Sequence, residues 1–177
     1  MRQPFDPDAL LAAIARGERS CGDFEMRIAR DGTWFYRGSP IGRLPLVKLF
    51  ASVLRRGPDG GYWLVTPVEQ GRVEVEDVPF VAVELRCEGS GPSQLLELRT
   101  NLDEWVPVNA AHPLELHDQA DGAQLPYVRV RDKLDARVVR SVFYHLVELA
   151  EPCPDDVEDV LGVWSAGRFF PLGSVHE

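Results

Sequence analysis

The chain has no apolar run of the roughly 20 residues that a membrane-spanning helix needs. Its first twenty residues, MRQPFDPDALLAAIARGERS, lack the long apolar core of a secretory signal. Both absences predict a cytoplasmic protein. Cysteine is scarce: Cys21, Cys87 and Cys153 lie far apart, with no Cys-x-x-Cys pair. That argues against a disulfide framework and a zinc site, and suits a reducing compartment. Of the 19 basic residues only Lys48 and Lys133 are lysines, and the other 17 are arginines. GC-rich codon usage is the default explanation of that imbalance, although arginine also favours bidentate contact with phosphate and carboxylate. Basic charge is short overall: the net charge is -9 and the pI about 4.9. Such a balance opposes attraction to nucleic-acid polymers and anionic membranes.

Catalytic signatures are missing as well. EGSGPS does not place its glycines as a nucleophile elbow does, and neither a Walker loop nor a dinucleotide fingerprint occurs. His145 falls beside Tyr144 and Glu148 on the polar side of an apolar helical stripe, where a surface histidine is the default. The reading is of a protein without catalysis and without a cofactor. HPLELHD offers His112, Glu115, His117 and Asp118, but in a strand residues 112 and 117 point to opposite faces, so no compact metal-ligand set is specified.

What is present is the composition of a globular protein: 177 residues, 45% hydrophobic and 27% charged, enough for one domain or two small ones. Asp6-Pro7-Asp8 followed by Leu10, Leu11 and Ile14 predicts a short lead-in helix over residues 1–19. FEMRIARDGTWFYRGSPIG alternates on both sides of Asp31-Gly32 and predicts a hairpin. Pro45 opens LPLVKLFASVLRR, a helical pattern that Gly57 and Pro58 would close. GYWLVTPV, VEVED, FVAVELRC, QLLELRT, EWVPV, LELH and PYVRVR predict strands. DKLDARVVRSVFYHLVELA carries Leu134, Val138, Val142 and Leu146 at helical spacing and predicts one long helix. The fold class is α+β. A first domain is placed at 20–70 and a second at 71–150, with an acidic linker and terminal hairpin at 151–177 that packs back on one of them.

Two segments share one arrangement. GTWFYRGS at 32–39 and GRFFPLGS at 167–174 both read Gly-x-aromatic-aromatic-x-x-Gly-Ser, the pattern of one hairpin solution used twice. Neighbouring aromatics on a strand point to opposite faces, so in each segment at least one is expected in the core.

RDGTWFYRGSPIGR, LVTPVEQGRVEVEDVPF, RTN, YVRV, LDARVVRSVFYHLVELA and GVWSAGRFFPLG, in order from Cys21 to Leu172, resemble the successive blocks of the bacterial family called domain of unknown function 1285. After YVRV the chain reads RDK in place of a basic-glycine turn. The family has no established activity. The resemblance implies duplicated strand-helix motifs, a second domain similar to pleckstrin-homology folds, a ligand site where the two parts meet, a nucleotide-like ligand and a role in signal transduction.

Polar residues fit such a site. Glu74 and Glu76 share a strand face, with Arg72 and Asp77 beside them, while Tyr127, Arg129 and Arg131 share another. Arg140 and Tyr144 on the long helix complete the candidate cleft. Cross-strand ion pairs are the structural explanation of these residues. The functional one is a cleft whose arginines hold a small anion while its carboxylates hold hydroxyls or amines. The leading expectation is therefore a ligand-binding protein. The alternative is a protein-interaction adaptor, which would present an apolar patch or a free sheet edge.

Overall fold

The computed structural model describes residues 22–65, 70–155 and 159–174. The lead-in helix expected over residues 1–19 lies outside them. The chain forms two units, divided between Pro79 and Phe80.

In the first unit β1 (Gly22–Ile28) and β2 (Trp34–Tyr36) form the expected hairpin. Ala29 and Thr33 close the turn by an N–H to O bond of 2.9 Å, and Gly32 takes the left-handed conformation that the bend requires. β3 (Ser39–Pro40) follows, then α1 (Leu44–Ser52), started by Pro45 and burying Leu46, Val47, Phe50 and Ala51 on one stripe. The helix stops earlier than its apolar spacing predicts. Val53 gives its carbonyl to the Val65 N–H at 2.9 Å, and the chain continues as β4 (Leu54–Arg56) paired with β5 (Tyr62–Val65). Residues 54–56, expected to end a helix, are therefore a strand because they have a partner. β6 (Gln70–Val75) pairs antiparallel with β5 and parallel with β1, so it completes this sheet in the order β3-β2-β1-β6-β5-β4. The boundary accordingly falls after residue 79, not after 70.

Trp34 is 1% exposed and stacks at 6.4 Å on Phe50. The core reading of the first aromatic cluster holds for it, while Phe35 and Tyr36 are half-buried.

The second unit begins with β7 (Phe80–Glu88), a 3₁₀ turn at Gly91–Ser93, β8 (Leu95–Thr100) and β9 (Trp105–Pro107). Asn101, of the RTN block, ties this meander together: its side-chain oxygen accepts the Val81 N–H at 3.1 Å and its own N–H donates to the Val81 carbonyl. β10 (Leu114–Asp118) and β11 (Gln124–Arg131) follow. The helix expected from residue 132 onward is then split. Asp132 adopts a left-handed φ of 48°, residues 134–138 form β12 (Leu134–Val138), and only Arg140–Glu148 is helical, as α2. β12 pairs antiparallel with β11 and parallel with β7, and the Val139 N–H still bonds the Ala82 carbonyl at 3.1 Å. Those nonlocal bonds override a spacing that suits either period.

The sheet order is β10-β11-β12-β7-β8-β9. Read from β9, it follows the path of the first sheet: two three-stranded meanders joined by a parallel pair between the first and sixth strands. The strands are thus duplicated, but the helix is not in register, lying between the third and fourth strands in one unit and after the sixth in the other. The fold is richer in strand than an even α+β mixture.

The chain ends in a small sheet of β13 (Glu151–Pro152), β14 (Val160–Ser165) and β15 (Arg168–Ser174). Ala166 and Gly167, both at positive φ, make its two-residue turn. The hairpin packs on the second unit. Buried Ser165 accepts the Leu96 N–H at 3.0 Å and donates to the Val108 carbonyl at 2.6 Å, and the Gln94 amide donates to the Trp164 carbonyl at 2.8 Å.

Candidate functional site

A groove of about 650 Å³ opens in the first unit, along the central β1–β6 pair. Glu25, Met26 and Arg27 of β1 and residues 72–75 of β6 form its floor. Two hairpin tips border it: Arg37-Gly38 between β2 and β3, and Gly60-Gly61 leading into Tyr62 of β5. Gly38 and Gly60 sit at φ of 78° and 81°, with open space where a Cβ would stand, so the backbone there is reachable by a ligand.

The strand register places the charged side chains. β1 is irregular between Asp23 and Met26, and Glu25 takes a φ of 53°. Arg37, at a φ of 48°, donates its backbone N–H to the Glu25 carbonyl at 2.9 Å and its Nε to the Glu25 carboxylate at 2.7 Å. Two non-glycine residues in the left-handed region are thus clamped together at the rim of the groove, a kind of backbone strain that concentrates at ligand sites. Arg27 lies 4.3 Å over the Phe35 ring and pairs with Glu76, whose other oxygen accepts the Arg30 N–H at 2.8 Å.

Arg72 differs from these two arginines. Its guanidinium lies 5.8 Å over the Trp63 ring, and it makes no ion pair with any described carboxylate. Asp59 stands near it, but that carboxylate accepts the Gly61 N–H at 3.0 Å, the main reason its pKa lies below the ordinary 3.8; Arg72 lowers it further. Glu74, two residues along the same strand, has no hydrogen-bond or ion-pair partner among the described residues.

Of the residues expected in a cleft, Arg72 and Glu74 therefore line this groove. Glu76 and Asp77 lie beyond them and serve Arg27 and Arg30, the latter pair at 3.9 Å. The remaining five belong to the second unit. Tyr127 is buried, with His117 stacked on its ring at 4.6 Å. Arg129 is bonded to buried Asp135 at 2.5 Å and to the Asp132 carbonyl at 3.0 Å, the ion-pair arrangement that is the structural explanation of these residues. Arg131 pairs with Glu104 at 3.2 Å and lies over Phe80. Arg140 and Tyr144 are exposed on α2.

The histidines of HPLELHD do not converge: the His112 ring bonds the Arg129 carbonyl at 3.0 Å, while His117 approaches Glu115 at 3.6 Å. Among the described residues there is no group of three metal-ligating side chains.

Arg27, Arg37 and the glycine tips were not singled out as site residues from the sequence. The signal was present in two turns, Tyr-Arg-Gly-Ser and Asp-Gly-Gly-Tyr, but only the sheet order brings their tips to one place.

The chain belongs to the DUF1285 family of proteins of unknown function. The N-terminal domain model of that family matches residues 18–78 and the C-terminal domain model residues 79–172. Among solved structures, the chain is similar to a DUF1285 family protein from Silicibacter pomeroyi DSS-3, at 42% identity and a TM-score of 0.81, covering 89% of this chain and 84% of that one. It is also similar to a DUF1285 family protein from Shewanella baltica OS155, at 29% identity and a TM-score of 0.54, covering 70% of this chain and 90% of that one. No curated protein matches it. No helix among the described residues is long and apolar enough to cross a membrane.

Proposed function

We propose that this chain is a cytoplasmic ligand-binding protein without catalysis, which holds a small, nucleotide-like molecule by its anionic group in the groove of the first unit and serves signal transduction. The observation that carries the reading is Arg72, an arginine lining a groove of about 650 Å³ with an aromatic face behind it and no ion pair to any described carboxylate. That volume lies within the range of small-molecule sites. A guanidinium already oriented by Trp63 loses little freedom on receiving a phosphate or carboxylate, which it can meet with two parallel N–H donors. The second unit is part of the proposal as a pleckstrin-homology-like partner domain, a reading supported by its two meanders followed by one helix.

A thermal-shift screen of nucleotides and phosphorylated metabolites tests it. A ligand at a hundredfold excess over its dissociation constant stabilises the fold by about 2.7 kcal/mol, so at least one compound raises the melting temperature, and Arg72→Ala removes the rise. The adaptor reading is favoured by Tyr144 and Val147, which are 56% and 45% exposed on α2. It gains if no anion shifts the melting curve.

A further inference from the structure

We infer that the ligand of this groove is zwitterionic, carrying an ammonium group for Glu74 as well as an anionic group for Arg72. The inference rests on the ligand-binding reading above and names the class of molecule.

Most of the groove's charges are already paired within the protein. Arg37 is closed by Glu25 at 2.7 Å, and Arg27 is closed by Glu76. The Asp59 carboxylate accepts the Gly61 N–H at 3.0 Å and keeps its charge near Arg72. Once those groups are set aside, one guanidinium and one carboxylate line the groove without an ion pair to any described residue, Arg72 and Glu74. With Glu74 in the groove and the ionised Asp59 beside Arg72, there is no surplus of positive charge for a purely anionic ligand to neutralise.

Geometry keeps the two apart. Residues 72 and 74 alternate with buried Val73 and lie on the same exposed side of β6. Alternate residues of a strand have Cα atoms about 7 Å apart. The natural partner of Glu74 across the sheet is claimed by a neighbour. Arg27 is the Cα partner of Glu74 in the β1–β6 register, yet it is spent on Glu76.

A ligand bearing only negative charge would meet Arg72 favourably and Glu74 unfavourably. A ligand with an anionic group and an ammonium a few bonds away meets both with charge-assisted hydrogen bonds, about twice as strong as neutral ones. Repulsion by Glu74 is then the element that rejects simple anions, which is how specificity is commonly built. The open backbone at Gly38 and Gly60 leaves room for the remainder of the molecule.

Phosphoethanolamine, inorganic phosphate and adenosine monophosphate serve as probes, with affinities taken by calorimetry on wild type, Glu74→Gln and Arg72→Ala. Glu74 is exposed, so its amide variant keeps the fold. The expected result is that phosphoethanolamine binds about tenfold or more tightly than phosphate. Glu74→Gln should erase that advantage while leaving phosphate no weaker, and Arg72→Ala should weaken every probe. Equal binding of phosphoethanolamine and phosphate, or tighter binding of the monophosphate that Glu74→Gln does not alter, overturns the zwitterion and leaves the anion site standing. Absence of binding by all three probes to the wild type overturns both readings.

Discussion

Arg27 stands directly across from Glu74 in the β1–β6 register, yet its guanidinium bonds Glu76, two residues further along β6. A cross-strand partner is passed over, and the groove keeps a free carboxylate as a result. Glu76→Gln should release Arg27 toward Glu74. The pair it removes is partly exposed, so the melting temperature should fall only by what about 1 kcal/mol or less produces. Phosphoethanolamine affinity should drop several-fold, because Glu74 acquires an internal counter-charge. Unchanged affinity would show that Arg27 does not reach Glu74.

Trp34 and Phe35 separate core from groove rim. Trp34→Ala empties a site packed on Phe50 and should cost about 3 to 5 kcal/mol in chemical denaturation. Phe35 is half-buried under Arg27 and should cost less when truncated. Equal losses would contradict the opposite facing of the two rings.

Arg129→Ala leaves Asp135 as a buried carboxylate without its cation. Arg129 itself is about one-third exposed, with its side chain at 34%, so the loss should be near the lower end for broken buried pairs, about 2 to 3 kcal/mol. Ligand affinity in the first unit should not change. Loss of ligand binding with wild-type stability would return Arg129 to the site.

Asp31 and Asp59 make the fold sensitive to acid. Asp31 accepts the Thr33 N–H at 2.9 Å and Asp59 the Gly61 N–H at 3.0 Å, and these backbone bonds hold both carboxyls below the ordinary 3.8. A carboxyl depressed in the folded state adds stability that is complete above its unfolded value and is lost as pH falls through the folded one. Melting temperature should therefore respond to these groups only below about pH 4. The Asp31→Asn, Asp59→Asn double variant should show a shallower decline there. An identical acid limb in the two proteins would exclude both groups.

Much of the strand content was legible locally, because β5, β7, β8 and β11 alternate between turn clusters. The errors came where nonlocal pairing decides. LDARVV satisfies both a helical and a strand period, and it is β7 alongside that makes it β12. Leu54–Arg56 completes a helical stripe in sequence but meets β5 in space. β6 reads locally as the start of the second domain, because its parallel partner, β1, lies more than forty residues earlier. The site divides in the same way: Arg72 and Glu74 are readable as a polar face of one strand, whereas Glu25, Arg37 and the glycine tips join them only through the order of the sheet.

Two-dimensional NMR during titration with phosphoethanolamine maps the ligand directly onto backbone amides. Binding in the groove should give saturable shifts concentrated at Gly38, Gly60, Gly61 and residues 72–75, and they should disappear in Arg72→Ala. Saturable shifts confined to residues 80–174, or the same groove shifts in Arg72→Ala, would contradict it.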